Sequence, residues 1–459
     1  MIALAACLNQ APASIEQQAA EISVQHDEPT SAVRAQPASN TPVPPSATPK
    51  WTSTPYPTVT PTPVLRYLSP LDAGTPLPVG GLGEIVNILL IGSDSLSRET
   101  QRTDSLILVS IQPAYRLVTL LSIPRDLYVS MPRGHAGRIN GAFQIGEREG
   151  YPGGGFSFLG EVLQQTFGIE IDFVAMLDFD GFRQGINLIG GLEVPLSCSF
   201  TDWRLTDPTS DPETEANWAL HTIGPGPVHM DGDLALWFVR SRIRSSDFDR
   251  GRRQQILLRA AYQKGLDLEL LVHLPELFEQ LRDTVQTDLE LMDLLRLSPL
   301  SLDVSGARIR SYYLIPPYVT SHLTEAGSEV LLPNPGPLAE LFAEVFGPPD
   351  SDEIRTLATK VEIWNWSPHA GFDLLARERL EYAGYSVNLV PGITDDAQKT
   401  LLFRLNPDQP SASDEALLKL LNLEADQFRI DVDAEAASDY RLIIGADFSP
   451  CYDRLEIER

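Results

Sequence analysis

Between Asn87 and Asp126 the chain reads NILLIGSDSLSRETQRTDSLILVSIQPAYRLVTLLSIPRD. Three carboxylates, Asp94, Asp104 and Asp126, and two guanidinium groups, Arg102 and Arg125, punctuate this stretch. Carboxylates hold hard divalent cations, and arginines grip phosphate oxygens two at a time. The combination suggests a metal-assisted pyrophosphate site. The competing reading is ordinary strand-end charge that keeps a sheet edge soluble. The elements that must position these groups are three short apolar runs, ILLIG, SLILVS and RLVTLLSI, which read as buried strands between turns. Each of these five groups falls at a strand end, so they could converge on one edge of a sheet. In open α/β sheets that edge is where ligands bind.

A second stretch, ALWFVRSRIRSSDFDRGRRQQILLRAA from Ala235 to Ala261, adds cations. Its first part predicts a strand with Arg240 and Arg242 on one face, by the period of two. After Ser245-Ser246-Asp247 it predicts a helix with Arg250 and Gln254 on one face and Ile256, Leu257 and Ala260 on the buried side. Arginines in an apolar strand are costly unless anions pair with them. The alternative is an exposed basic helix balanced by an acidic protein.

In order, GSD, QRTD, SIPRD, RINGAF (Arg138 to Phe143), VRSR and DFDRGRRQ resemble the LytR-CpsA-Psr family of cell-wall glycopolymer ligases, over roughly Glu84 to Pro335. The resemblance implies an α/β fold: an αβα sandwich that binds a polyprenyl-pyrophosphate-linked glycan and transfers the phosphoglycan to a peptidoglycan hydroxyl with magnesium (Mg2+). By motif, Asp94 and Asp104 correspond to the metal and pyrophosphate carboxylates. Arg102, Arg125, Arg240, Arg242 and Arg250 correspond to the pyrophosphate clamp. Asp247 and Gln254 occupy the remaining positions of the D-x-x-R-x-x-x-Q pattern, and Asp126 is a candidate orienting base. Asp249 departs from the pattern, since many relatives carry glycine there. A polyprenyl-pyrophosphate phosphatase, with water as acceptor, and a non-enzymatic polyprenyl-phosphate-binding regulatory or wall-attachment protein remain alternatives.

A formal net charge of −27 over 459 residues argues against a nucleic-acid partner, while 43% hydrophobic residues suffice for real cores. Residues 1–7, MIALAAC, resemble the end of a lipobox without its basic and long apolar regions. They read either as the remnant of a lipoprotein signal behind a start codon set too late, with Cys7 the lipidated residue, or as chance. Residues 8–83 are rich in Pro, Ser and Thr and predict a disordered or polyproline spacer. The expected placement is extracytoplasmic, attached to the cell membrane at the N-terminus.

The catalytic domain is expected over 84–335, a linker over 336–359 and a smaller α/β domain over 360–450, which resembles the LytR C-terminal domain. Asp202 to Gly226 reads as an acidic excursion with Trp203 and Trp218, residues that stack on sugars in some loops and pack in most. Cys198 and Cys451 read as buried free thiols, with a bridge between them left open.

Overall fold

The computed structural model describes residues 85–93, 103–207, 209–241, 247–266, 273–282, 284–391, 397–433 and 435–452. The expectations for residues 1–83, Cys7 included, and for Asp94, Arg102 and Arg242 lie outside the described residues.

The three apolar runs form β1 (Val86–Ser93), β2 (Thr103–Gln112) and β3 (Leu117–Ile123), joined as successive antiparallel pairs. A ribbon of β4 (Tyr128–Ser130) and β5 (Ala136–Arg138) leads into α1 (Ala142–Arg148) and α2 (Gly154–Phe167). Strand β6 (Phe173–Leu177) then returns parallel to β1. Next come α3 (Phe179–Leu188), β7 (Leu192–Leu196), the hairpin of β8 (Phe200–Leu205) and β9 (Trp218–Ile223), and β10 (Gly226–Met230), which pairs with β7. Helices α4 (Gly232–Arg240), α5 (Asp247–Gly265) and α6 (Leu274–Leu281) precede β11 (Val285–Thr287). Helix α7 (Leu291–Asp303), β12 (Ile309–Tyr313), the hairpin β13 (Val319–Leu323)–β14 (Glu329–Pro333) and α8 (Pro335–Phe346) follow. The central sheet has the order β11-β6-β1-β2-β3-β12.

Strand periodicity splits this sheet into two buried faces. Leu89, Ile91, Leu106, Leu108, Leu121 and Ile123 face a core shared with Phe143 of α1, with Phe158, Leu159, Val162 and Leu163 of α2, and with α8. On β3 the intervening Leu120 and Val118 join Ile309, Val304 and, from α5, Leu258 and Tyr262. Helices on both faces make the αβα sandwich.

Two local assignments change. Ala235 to Arg240, expected as a strand, is helix α4, and Asp231 caps it by accepting from Leu234 N. A short apolar run carries either period, and here Ala235, Leu236, Phe238 and Val239 bury one helical face. Residues 336–359, expected as a linker with a helix over Ala339–Phe346, hold that helix as α8 and a further one, α9 (Ser351–Ala358). Leu338, Leu341, Phe342 and Val345, at helical spacing, belong to the main core. Glu353 of α9 grips Arg310 of β12 through both oxygens at 2.6 Å.

The C-terminal part has its own sheet, in the order β16-β15-β19-β17-β18. Its strands are β15 (Lys360–Asn365), β16 (Ser386–Val390), β17 (Leu401–Arg404), β18 (Phe428–Ile430) and β19 (Tyr440–Ile444). Helices α10 (Phe372–Tyr382) and α11 (Ser411–Leu421) cover it, closing a core that includes Val361, Ile363, Leu380, Leu402, Leu417 and Leu442. Both sheets belong to one compact unit. Helix α10 packs on β7, β10 and the turn at Gly306–Arg308. The Glu381 carboxylate packs directly over Gly306, where a Cβ would force it to move.

Cys198 and Cys451 form a disulfide with Cα atoms 4.4 Å apart, so the favoured free-thiol reading does not hold. The tail carrying Cys451 is fixed by Arg379, only 1% exposed, which donates to the carbonyls of Ser449 (3.0 Å) and Pro450 (2.7 Å). The bridge closes a chain separation of 253 residues. Constraining the unfolded chain in this way stabilises by about 2–4 kcal/mol. Cys451→Ser is therefore expected to lower unfolding free energy by about that amount in denaturant titration. An unchanged titration midpoint would remove the bridge from the stability of the fold.

Glu381 supplies a pH-dependent contribution. Burial pushes its carboxyl above the ordinary 4.5, and Arg377 and Arg259 only partly oppose the shift. Its contribution to stability is thus fully present below pH 4.5 and is lost as pH rises through the raised folded value. Glu381→Gln is expected to raise Tm at pH 7.5 and to leave it nearly unchanged at pH 4. A lower Tm at pH 7.5 would mean that the ion pairs outweigh desolvation.

Candidate active site

Strand register builds the site. Because β2 runs antiparallel to both neighbours, its first residues lie beside the last residues of β1 and β3, with Gly92 opposite Ser105 and Ile123 opposite Leu106. Between these pairs the ladder slips: Ser93 pairs with Thr103, and Asp104 is left over as a bulge. A bulge re-aims a side chain and frees backbone polar groups from the ladder. Arg250 of α5 takes up the result, donating Nη2 to the Asp104 carbonyl at 2.5 Å.

The Asp104 carboxylate accepts from Arg125 Nη1 at 2.9 Å, with both side chains about one-quarter exposed (27% and 24%). Arg125 also lies 3.5 Å, through Nε, from Asp126, which in turn pairs with Arg138 Nε at 3.1 Å. The RINGAF turn closes over this group: Asn140 N donates to the Arg125 carbonyl, and Thr103 Oγ1 donates to the Asn140 carbonyl. Gln254, one turn beyond Arg250, accepts from Ser105 Oγ at 2.9 Å. Asp104, Arg125, Asp126, Arg250 and Gln254 are therefore brought together at one sheet edge.

Of the other sequence candidates, Arg240 has a described side chain. Arg240 ends α4 with its guanidinium 3.9 Å from the centre of the Phe179 ring. Asp247 opens α5, and its side chain lies outside the described residues, as do Asp94, Arg102 and Arg242. Asp249, half-exposed, pairs along the helix with Arg252 at 3.6 Å. Asp126, held between Arg125 and Arg138, is placed to orient the arginines at the edge.

Three residues that sequence reading passed over hold α5 in place. Gln255, fully buried, donates to Ser122 Oγ (2.8 Å) and to the carbonyl of Tyr312 (3.0 Å). Arg253 donates to the carbonyls of Phe238 and Ser241, and burial pulls its guanidinium down to about 10, against the nearby charges of Asp249 and Asp202. Arg259 donates to the carbonyls of Ile309 and Gly306. The RRQQ doublets were the available signal.

Chemically, the edge offers guanidinium groups to an anion beside a carboxylate. Among the described residues no group of three His, Cys, Asp or Glu side chains is placed to hold a metal. Magnesium takes only one or two protein carboxylates when phosphate oxygens complete its shell, so the donor chemistry of Asp104 suits it.

A polyisoprenyl-teichoic acid–peptidoglycan teichoic acid transferase, TagU, from Oceanobacillus iheyensis is 32% identical over 227 residues, covering 49% of this chain and 64% of that protein. The TagU of Bacillus mycoides is 28% identical over 209 residues, covering 45% and 61%. The chain thus spans less than two thirds of the length of these relatives. Among solved structures, TagV of B. subtilis aligns with a TM-score of 0.46 at 23% identity, covering 59% of this chain and 100% of that one. The model of the LytR_cpsA_psr family matches residues 81–316, just over half of the chain, and the protein belongs to that family.

Proposed function

We propose that this protein is a phosphotransferase that moves a glycopolymer, with its linking phosphate, from a polyprenyl-pyrophosphate carrier to a peptidoglycan hydroxyl. The observation that carries the reading is the convergence of Arg125 and Arg250 on the bulged Asp104 in a chain of this family. The acceptor oxygen bonds to the glycan-side phosphorus, and the bond to the bridging oxygen of the pyrophosphate breaks. Polyprenyl phosphate leaves with the electron pair, and the hydroxyl proton passes to a base or to solvent. Catalysis of this type is mostly positioning and electrostatic stabilisation.

In this reading Arg125 exchanges its carboxylate partners for phosphate oxygens, while Asp126 and Arg138 hold its orientation. Arg250 fixes the bulge and faces the same edge, and Arg102, Arg240 and Arg242 extend the clamp. Magnesium, held by Asp104 with Asp94, would offset the charge of the pyrophosphate. The Cys198–Cys451 bridge supports an extracytoplasmic placement, since disulfides persist in oxidising compartments. Attachment to the membrane, through Cys7 or through a segment upstream of it, is part of this reading; no helix among the described residues is long and apolar enough to cross a bilayer.

Arg125→Ala is expected to cut transfer roughly tenfold to 150-fold, from the loss of a charge-assisted contact of about 1.5–3 kcal/mol. Stability should change by less than about 1 kcal/mol, because the Arg125–Asp104 pair is solvent-screened. A purified lipid-linked donor and a peptidoglycan acceptor, with product analysis by mass spectrometry, provide the assay. Water as the sole acceptor would identify a phosphatase instead.

Magnesium binding is expected to be weak alone and much stronger with a polyprenyl pyrophosphate present, because the polyanion draws the arginines away from Asp104. Asp104→Asn should abolish that enhancement together with transfer. Calorimetric titration with and without the lipid measures it, and equal affinities in the two titrations would return Asp104 to a purely structural role.

A further inference from the structure

A second concave site lies where the β8–β9 hairpin meets α4. It is a cavity of about 310 Å³ walled by Trp203, Trp218 and Trp237, with Asp202, Arg204 and Asp233 among its polar groups. The acidic excursion of the sequence is therefore an ordered hairpin, with Asp202 opposite His221 and Leu205 opposite Trp218. Volumes of roughly 300–1,000 Å³ are typical of small-ligand sites. This one has room for a single sugar unit rather than a lipid chain.

The wall is preset. Trp237 Nε1 donates to the Trp203 carbonyl (2.8 Å) and Trp218 Nε1 to the Pro212 carbonyl (2.9 Å), so two indoles are fixed by their polar edges. Trp203 remains 39% exposed, a large apolar ring at the rim of the cavity. Asp202 is 1% exposed, and one of its oxygens accepts from Trp203 N at 2.8 Å. The Arg253 guanidinium lies near enough to offset part of the cost of burying this carboxylate, and a ligand that donates hydrogen bonds to it would offset more. Asp233, near Arg183 at 3.5 Å, adds a second acceptor at the mouth.

We propose that the cavity framed by Trp203, Trp218 and Trp237, with Asp202 and Asp233, is a saccharide subsite. A pyranose has an apolar C–H face and a rim of neighbouring hydroxyls. Flat indoles match the first, and carboxylates with guanidinium groups match the second. A hydrocarbon would leave these charges unpaired, whereas the mixed lining of Asp202 and Asp233 with Arg183, Arg204 and Arg240 offers both acceptors and donors to hydroxyls. The cavity is also coupled to the sheet edge. Its wall residue Ser241 gives its carbonyl to Arg253, one turn along α5 from Arg250, which holds Asp104.

The source of the sugar rests on the glycan-transfer reading, whereas binding itself does not. Two soluble probes separate the sources: the N-acetylglucosaminyl–N-acetylmuramic acid disaccharide for the acceptor, and N-acetylglucosamine 1-phosphate for the donor end. Titration of the full chain, read by tryptophan fluorescence and calorimetry, should show saturable binding of at least one, and the tighter probe identifies the source. Trp203→Ala should weaken that binding at least tenfold. If Trp203→Ala melts early, Asp233→Asn, a surface change, should still weaken it severalfold. Arg125→Ala should bind the disaccharide as wild type does while transfer falls. Absence of binding by both probes, tighter binding of uridine monophosphate than of either, or loss of disaccharide binding in Arg125→Ala where wild type binds it would each overturn the subsite. Transfer could survive the first of these results, which separates this failure from failure of the functional reading.

Discussion

The site depends on one extra residue in a strand. Were β1 and β2 paired without a slip, Asp104 would be another ladder residue with its carbonyl committed to a neighbour. The bulge leaves that carbonyl outside the ladder, and a buried unpaired carbonyl demands a donor. Arg250 meets the demand and is itself only 7% exposed. A backbone requirement thus places a guanidinium at the sheet edge, and the same bulge turns the Asp104 side chain toward Arg125. Cation and carboxylate are positioned by one irregularity, which couples the geometry of the site to the register of the central sheet.

Helix α5 is the hub that the irregularity needs. Arg250, Arg253, Gln255 and Arg259 donate to carbonyls of β2, α4, β12 and the turn before β12. Each buried donor satisfies a carbonyl that would otherwise cost about 1–3 kcal/mol unpaired. The helix therefore docks by polar contacts along a buried face as well as by Leu257, Leu258 and Ala260. Such docking fixes rotation and register more tightly than apolar packing alone, because a hydrogen bond fails beyond a few tenths of an ångström. Arg250 and Gln254 are held in step with β2 for that reason.

The strands, the helix beginning near Asp247 and the convergence of Asp104 with Arg125 were legible because they follow from period and from strand-end placement. The bulge was not, since nothing in QRTDSL distinguishes a slipped register from a straight one. Helix α4 was misread as a strand because LWFV carries both periods, and only the Asp231 cap pointed the other way. The separation of 253 residues hid the cysteine bridge, which depends on how the C-terminal sheet docks. Gln254 and Gln255 show the limit most clearly: adjacent and identical, one meets Ser105 at the edge while the other is sealed between β3 and β12. Only the rotation of the helix separates their roles.

The acidity of the whole chain does not prevent an anion from binding at this edge. Charges are screened beyond about 8–10 Å at ordinary ionic strength, so most of the net −27 is invisible to a phosphate at β2. What counts is the nearest shell, where Arg125, Arg138 and Arg250 stand against Asp104 and Asp126. Among the described residues that balance is slightly cationic, and a pyrophosphate would make it anionic. A local field so nearly neutral favours an arriving anion only when its oxygens take over the guanidinium contacts of the carboxylates. In the proposed reading selectivity resides in geometry, because several guanidinium groups at one edge suit a ligand with several phosphate oxygens better than a lone carboxylate.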